Sequence, residues 1–270
     1  MRGAAYLLVS VVLGVCGTAE PGTQAGPVPA PSLPSWDALP DGSLIGHRGG
    51  ALLAPENTLA AFGRAAALGV PIETDVRRLD DGTLVLLHDP TVDRTTTASG
   101  PVTALTRAAY ARLVTDAPAE GRPGRTATGL PTLDDLLDRF GNRELLLLEV
   151  KDPAAAAPLL DALDADRIDR RSVVVESFNA PDLALATARG WDTALLGGTD
   201  PLAAAGQGID WLSPEQSSVS APLIQATHAA GLRLSTWTVD NRAAAEALVA
   251  MGVDAVITDD PRPLPPVVRR

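Results

Sequence analysis

Between residues 72 and 89 the chain alternates apolar and polar positions on either side of Leu79-Asp80-Asp81-Gly82-Thr83, a pattern that predicts a β-hairpin. A turn centred on Asp81-Gly82 would set Asp75 opposite His88. Glu73 stands two residues before Asp75, so period-2 geometry points both carboxylates to one face of the strand. Downstream, residues 144–151 (ELLLLEVK) form a nearly continuous apolar run, as expected of a strand buried on both faces. Shorter strands are predicted at 43–46, 172–178, 193–196, 210–212, 233–239 and 255–258. Helical periodicity appears at 59–68, 108–113, 133–140, 154–163, 181–189, 221–230 and 242–251. Asn57 or Thr58 opens the first of these helices as cap, and Gly190, Gly231 and Gly252 stand where helices stop.

Strand and helix thus alternate along the chain, which argues for a parallel sheet. With the return strand of the hairpin set aside, eight strands remain in about 225 residues, which suits a (β/α)8 TIM-type barrel, distorted by the extra hairpin strand after the second strand. A doubly wound sheet is the alternative, but no glycine-rich dinucleotide loop follows the first strand; His47-Arg48-Gly49 occupies that place. Residues 91–128, rich in Thr, Arg, Pro and Gly, are an excursion placed to form a lid.

Composition narrows the class. A formal net charge of -11 argues against nucleic acid or an anionic membrane surface as the main partner. Cys16 is the sole cysteine, so no disulfide framework is expected. Residues 1–19 have an apolar run behind Arg2 and small residues after it, and resemble a secretory signal peptide. The expected location is therefore extracellular. A lipoprotein anchored through Cys16 is the alternative, since Leu13-Gly14-Val15-Cys16 loosely resembles a lipobox. Residues 20–40 read as a Pro/Ala/Gly-rich linker and 41–266 as the folded domain.

In such a barrel, chemistry gathers at the C-terminal strand ends. The polar residues there are His47, Arg48, Glu73, Asp75, Glu149, Lys151, Ser177, Asn179, Trp237 and Asp259, with His88 closing the return strand. Glu73, Asp75 and Glu149 make a hard oxygen site suited to Ca²⁺ or Mg²⁺ and not to Zn²⁺. Two histidines, an arginine and the chain's single lysine around it suit an anionic substrate cleaved with acid–base help, a phosphate ester. Glu56 and Asn57 read as braces of the His47 loop, Asp259 and Asp260 as caps of the last turn, and His228 as structural.

His47-Arg48-Gly49, Pro55-Glu56-Asn57-Thr58, Ile72-Glu73-x-Asp75-Val76, Asp81-Gly82, His88-Asp89, Leu148-Glu149-x-Lys151, Ser177-Phe178 and Trp237-Thr238-Val239 occur in that order. Together they resemble the signature of the glycerophosphodiester phosphodiesterase family, with Thr74, Leu79-Asp80 and Asp240 as mild departures. The resemblance implies a TIM-barrel enzyme that releases glycerol 3-phosphate and an alcohol from a small glycerophosphodiester. It further implies His47 and His88 as general acid and base. Glu73, Asp75 and Glu149 would be ligands of one divalent cation, Ca²⁺ or Mg²⁺, and Arg48 and Lys151 would bind phosphate oxygens. Trp237 is a candidate wall of the substrate pocket. A lysophospholipid-cleaving relative, phospholipase D-like, would need an apolar lip, and residues 91–128 are polar; a catalytically silent surface binding protein is the other alternative, against which both histidines and all three carboxylates speak.

Overall fold

The computed structural model describes residues 33–115 and 127–264. The expected signal peptide, Cys16, most of the 20–40 stretch and the centre of the 91–128 excursion lie outside the described residues. Nine strands form one sheet: β1 (Ser43–Gly46), β2 (Ile72–Arg78), β3 (Leu84–Leu86), β4 (Leu146–Val150), β5 (Val173–Ser177), β6 (Asp192–Leu196), β7 (Trp211–Ser213), β8 (Arg233–Thr236) and β9 (Ala255–Thr258). Their order is β1-β9-β8-β7-β6-β5-β4-β2-β3, and a β1–β2 pairing closes the eight parallel strands into a barrel. Only β3 is antiparallel, bonded to the outer part of β2. The expected TIM-type barrel with an added hairpin strand is therefore what the chain forms.

Among the described residues eight α-helices accompany the strands: α1 (Leu59–Leu68), α2 (Arg107–Tyr110), α3 (Leu133–Phe140), α4 (Pro153–Ala165), α5 (Ala180–Ala188), α6 (Pro201–Gly206), α7 (Ala221–Ala229) and α8 (Arg242–Met251). Thr58 caps α1 through its hydroxyl, and Thr132 with Asp135 forms a capping box on α3. Helix α6 has no counterpart in the sequence reading. With six residues it is too short to show a 3.6 period, although Asp200 caps it and Pro201 opens it.

Parity along the strands separates the two sides of the barrel wall. In β4, Leu146, Leu148 and Val150 pack outward against Leu133, Leu159, Leu163 and other helix side chains. Leu147 joins Ile45, Val174, Trp211 and Ile257 in the apolar filling of the interior. Glu73, Leu147 and Val174 are register partners across β2, β4 and β5; two residues further on, Asp75, Glu149 and Glu176 align in the same way. An apolar floor with one glutamate therefore lies beneath a row of three carboxylates.

The lower mouth is closed by residues just before β1. Trp36, 2% exposed, stacks edge-on against Trp211 with ring centroids 5.7 Å apart. Arg233 lies over the same Trp211 ring and donates to the Trp36 and Leu39 carbonyls. The packed body thus takes in the end of the 20–40 stretch.

The hairpin register differs from the expected one. Val76 pairs with Leu86 and Arg77 with Val85, so Asp75 meets Leu87, whose N–H donates to the Asp75 carbonyl at 3.0 Å. The connection has three residues, Asp80-Asp81-Gly82, because Leu79 and Thr83 still pair; Gly82, with φ of 90°, takes the left-handed position that ends such a turn. His88 consequently lies one residue beyond the expected pairing, its carbonyl clamped by Arg77 at 2.7 and 3.0 Å. The described part of the 91–128 excursion packs on this hairpin. Val92, Val102 and Tyr110 are buried there, and the Tyr110 hydroxyl donates to the Leu86 carbonyl.

Asp192 opens β6 half-buried. Burial, and then the neighbouring Asp210, pushes its carboxyl up to about 6. The folded chain holds this proton more tightly than the unfolded one. That contribution is full below about pH 4 and is lost as the pH rises through about 6. Asp192→Asn should therefore raise stability at neutral pH by about 1 kcal/mol, allowing for solvent screening, with little change near pH 4. Urea denaturation at both pH values reads this, and equal midpoints at pH 7 would refute it.

Candidate active site

His47 and Arg48 follow β1 in a turn that the backbone enters under constraint. Arg48 has φ of 52°, an unfavoured left-handed conformation for a residue with a long side chain. Its N–H donates to Glu73 Oε2 at 2.6 Å and its carbonyl accepts from the Asn57 N–H at 3.0 Å, which fixes that conformation. Gly49 cannot be replaced here. A Cβ would come within 2.7 Å of the Phe62 ring and 2.8 Å of Ala61, so the loop lies directly on α1.

The side chains converge on a pocket of about 100 Å³ at the C-terminal end of the barrel. His47, Arg48, Glu73, His88, Glu149 and Lys151 line it, together with Glu176, Phe178 and Trp237. All residues expected in the site are thus brought together, with Asp75 just behind them. Trp237 is held by its indole N–H on the Ser213 carbonyl and meets the half-exposed Phe178 edge-on at 5.4 Å. Ser177 and Asn179 bond locally instead, the Asn179 N–H donating to the Ser177 hydroxyl. His228 pairs with Asp254 on the outside of the barrel, a structural role as expected.

Asp75 is wholly buried, and its carboxylate faces two cations and an amide. Oδ1 lies 3.0 Å from Lys151 Nζ; Oδ2 accepts from Asn57 Nδ2 at 2.7 Å and lies 3.6 Å from Arg48 Nε. Burial pushes this carboxyl up, but Lys151 and Arg48 outweigh it and hold it below the ordinary carboxylate range. Thr74, a mild departure from the family pattern, donates its hydroxyl to Asn57 Oδ1 and so aims the amide at Asp75.

The three glutamates behave differently. Glu73, Glu149 and Glu176 are all buried, and one carboxylate oxygen from each lies within 4.8 Å of the other two. Burial followed by the negative charge of Asp75 pushes Glu73 well up and Glu149 to about 7; burial and then Glu149 push Glu176 up. Lys151 Nζ reaches Glu149 Oε2 at 2.7 Å but does not reverse the upward shift. Like charges at this spacing in a buried site call for a cation, and the all-oxygen donor set fits a hard divalent ion. Such a buried acidic triad can hold a metal. Glu73 and Glu149 were expected there, whereas Glu176 was not singled out. Its signal was the resemblance between Val-Val-Val-Glu-Ser in β5 and Leu-Leu-Leu-Glu-Val in β4, which the parallel register sets side by side.

Both histidines have a carboxylate on Nδ1. His47 Nδ1 lies 2.6 Å from Asp259 Oδ1, and His88 Nδ1 lies 2.8 Å from Asp89 Oδ1. Asp259 is thus more than the expected cap, and Asp240, another departure, accepts from its N–H at 2.8 Å. Burial holds the His88 imidazole below its ordinary value despite the nearby Asp75. Glu56 accepts from Arg48 at 2.9 Å, as the expected brace. Arg94, which the sequence did not single out, bonds both Glu56 oxygens and both Asp89 oxygens. Those bonds and His88 outweigh burial and hold Asp89 at about 2.

Comparison with known proteins places this arrangement. Residues 47–262 match the model of the glycerophosphoryl diester phosphodiesterase family. A glycerophosphodiester phosphodiesterase of Caldanaerobacter subterraneus subsp. tengcongensis is 33% identical over 250 residues, 84% of this chain and 98% of that protein. Among solved structures, a putative glycerophosphoryl diester phosphodiesterase from Silicibacter pomeroyi superimposes with a TM-score of 0.74 at 26% identity, covering 81% of this chain and 90% of the other. An Oleispira antarctica phosphodiesterase, solved in complex with its product sn-glycerol-3-phosphate, shares the fold at a TM-score of 0.72 and 24% identity, covering 84% and 96%. With the family match spanning the barrel from the His47 loop to the turn after β9, the chain belongs to the glycerophosphoryl diester phosphodiesterase family and is a phosphodiesterase of that class.

Proposed function

We propose that the protein hydrolyses small, water-soluble glycerophosphodiesters to glycerol 3-phosphate and an alcohol, with His47 and His88 exchanging the protons. The observation that carries this reading is the pair of imidazoles on one pocket, each tied through Nδ1 to its own carboxylate. A carboxylate on Nδ1 favours the N–H at that nitrogen and leaves Nε2 for proton transfer. The product held by the Oleispira antarctica relative supports the choice of glycerol 3-phosphate.

Arg48 and Lys151 supply the positive charge for the phosphate oxygens. Both are anchored from behind by Asp75, so they enter the pocket already oriented. A divalent cation, Ca²⁺ or Mg²⁺, with Glu73, Asp75 and Glu149 as its ligands would polarise the phosphoryl group and offset the buried carboxylates. The nucleophile, water or the glycerol 2-hydroxyl, loses its proton to one imidazole as its oxygen bonds to phosphorus. The bond from phosphorus to the head-group oxygen breaks, and the other imidazole protonates that oxygen. If the 2-hydroxyl attacks, the cyclic phosphate formed is opened by water with the two imidazoles in exchanged roles. The location outside the cell, with Cys16 lipidation as the alternative, remains part of this proposal and rests on the sequence of residues 1–19.

Release of glycerol 3-phosphate from glycerophosphocholine, measured after EDTA treatment and again with Ca²⁺ or Mg²⁺ restored, tests the reading. Metal-restored release is the expected result; turnover only of a lysophospholipid would favour the phospholipase D-like relative. His47→Ala or His88→Ala should each lower kcat by at least about 10²-fold. A drop under tenfold in either variant would remove that residue from the acid–base pair.

Arg94 touches neither histidine, yet it joins Asp89 behind His88 to Glu56 behind Arg48. Arg94→Met should lower kcat about tenfold with KM nearly unchanged, and should move the His88 titration followed by NMR. An unchanged His88 titration would show that the clasp does not position the imidazole.

A further inference from the structure

Glu73, Asp75 and Arg77 share one parity of β2, while Ile72 and Val76 belong to the core packed against the helices. Glu73 lines the pocket and Asp75 lies just behind it, whereas the Arg77 guanidinium, on a residue only 9% exposed, is engaged elsewhere. Its Nε and Nη2 donate to the His88 carbonyl at 3.0 and 2.7 Å, and Nη1 donates to Asp152 Oδ1 at 2.8 Å. One rigid, planar set of donors thus joins the end of the return strand to the residue that follows Lys151.

Both joined segments leave the sheet at this level. β3 pairs with β2 as far as Val76–Leu86, and Leu87 follows with a bond to the Asp75 carbonyl. On the other side of β2, β4 ends at Val150, and the Lys151 N–H bonds to the Val76 carbonyl. His88 and Asp152 each stand one residue past the last of these bonds, and a side chain from the strand between them ties them together. Asp152 is the N-cap residue of α4 but makes no side-chain cap bond; its carboxylate turns to Arg77 instead. The helix N-terminus favours an anion at that place, so α4 and Arg77 hold the same acid from two sides.

We propose that Arg77 is a positioning residue for His88: it fixes the backbone that carries the imidazole, as Asp89 fixes the ring, and Asp152 fixes Arg77. That role rests on the reading of His88 as one of the two proton-transferring groups, and adds to it the group that sets where the imidazole stands. Asp89 on Nδ1 determines the direction of the ring. The depth of the ring in the pocket follows the His88 backbone, and two N–H donors grip that backbone at its carbonyl. Proton transfer depends steeply on this depth, since a displacement of about 1 Å lowers a rate by about 10²-fold. Because the same guanidinium holds the neighbour of Lys151, the imidazole and the ammonium that faces the phosphate are both referred to the end of β2.

Arg77→Met keeps the apolar stem and removes every donor. With glycerophosphocholine as substrate it should lower kcat by about tenfold or more while KM changes by less than about threefold. In NMR spectra it should shift the His88 carbonyl carbon together with the imidazole resonances. Arg77→Lys, whose single ammonium can still meet the carbonyl, should recover part of the lost kcat and part of the shift. Asp152→Ala should lower kcat by a smaller factor, and combined with Arg77→Met it should add no further loss, because the two side chains act as one unit. Should Arg77→Met fail to fold, Arg77→Lys and Asp152→Ala carry the same readings. If His88→Ala loses activity as expected while Arg77→Met keeps kcat within about twofold and leaves the His88 resonances in place, Arg77 does not position the imidazole, whatever the melting temperature does. If His88→Ala itself keeps more than about a tenth of kcat, the acid–base reading fails and the positioning role fails with it.

Discussion

Asp75 has no solvent-exposed surface, and three side chains from three different segments meet on its carboxylate: Lys151 after β4, Arg48 after β1 and Asn57 before α1. A buried carboxylate without partners would be too costly for the barrel to tolerate, so these contacts are obligatory to the fold as well as useful to the site. They also set the direction of the two cations that face the pocket. Removing the anion would leave Lys151 and Arg48 in a buried site with fewer partners, a loss felt by folding and by the proposed phosphate binding together. Fold and function share this one constraint.

The two pocket histidines are held on the same plan, one layer out. Each histidine leans on an acid, and those acids lean on further groups: Asp259 on Asp240, Asp89 on Arg94. Through Arg94 the second of these chains joins Glu56 and so returns to Arg48. The His88 side and the Arg48 side of the pocket are thereby mechanically tied, although they come from different βα units. The left-handed turn at Arg48 persists because Glu73 and Asn57 hold its backbone from both ends.

The barrel was legible because its signals are local. Alternation in β2 and β3, the apolar run of β4 and glycine stops after helices each depend on a few neighbouring residues. The members of the pocket were legible for a related reason: strand-end polar residues in an apolar context stand out. What escaped depends on cross-strand geometry. The hairpin register turned on whether its turn has two residues or three, and Asp81-Gly82 reads equally well as part of either. Arg94 looks like any solvated charge, and Asp259 like a cap of the last turn, until the fold places them at Asp89 and His47. Helix α6 is simply too short to display a period.

Glu176 shows why one strand at a time is an insufficient unit of reading. Alone, a glutamate near the end of a valine strand suggests a frayed end or half of an ion pair. Placed in register it becomes the third carboxylate in a row with Asp75 and Glu149, above a layer in which Leu147 and Val174 supply an apolar floor. Of that row, Asp75 is compensated by cations from the chain itself. Glu149 shares Lys151 with it, and Glu176 has no cation paired to it among the described residues. Glu73, in the layer below, likewise has no ion pair among the described residues, so the uncompensated carboxylates are spread over β2, β4 and β5.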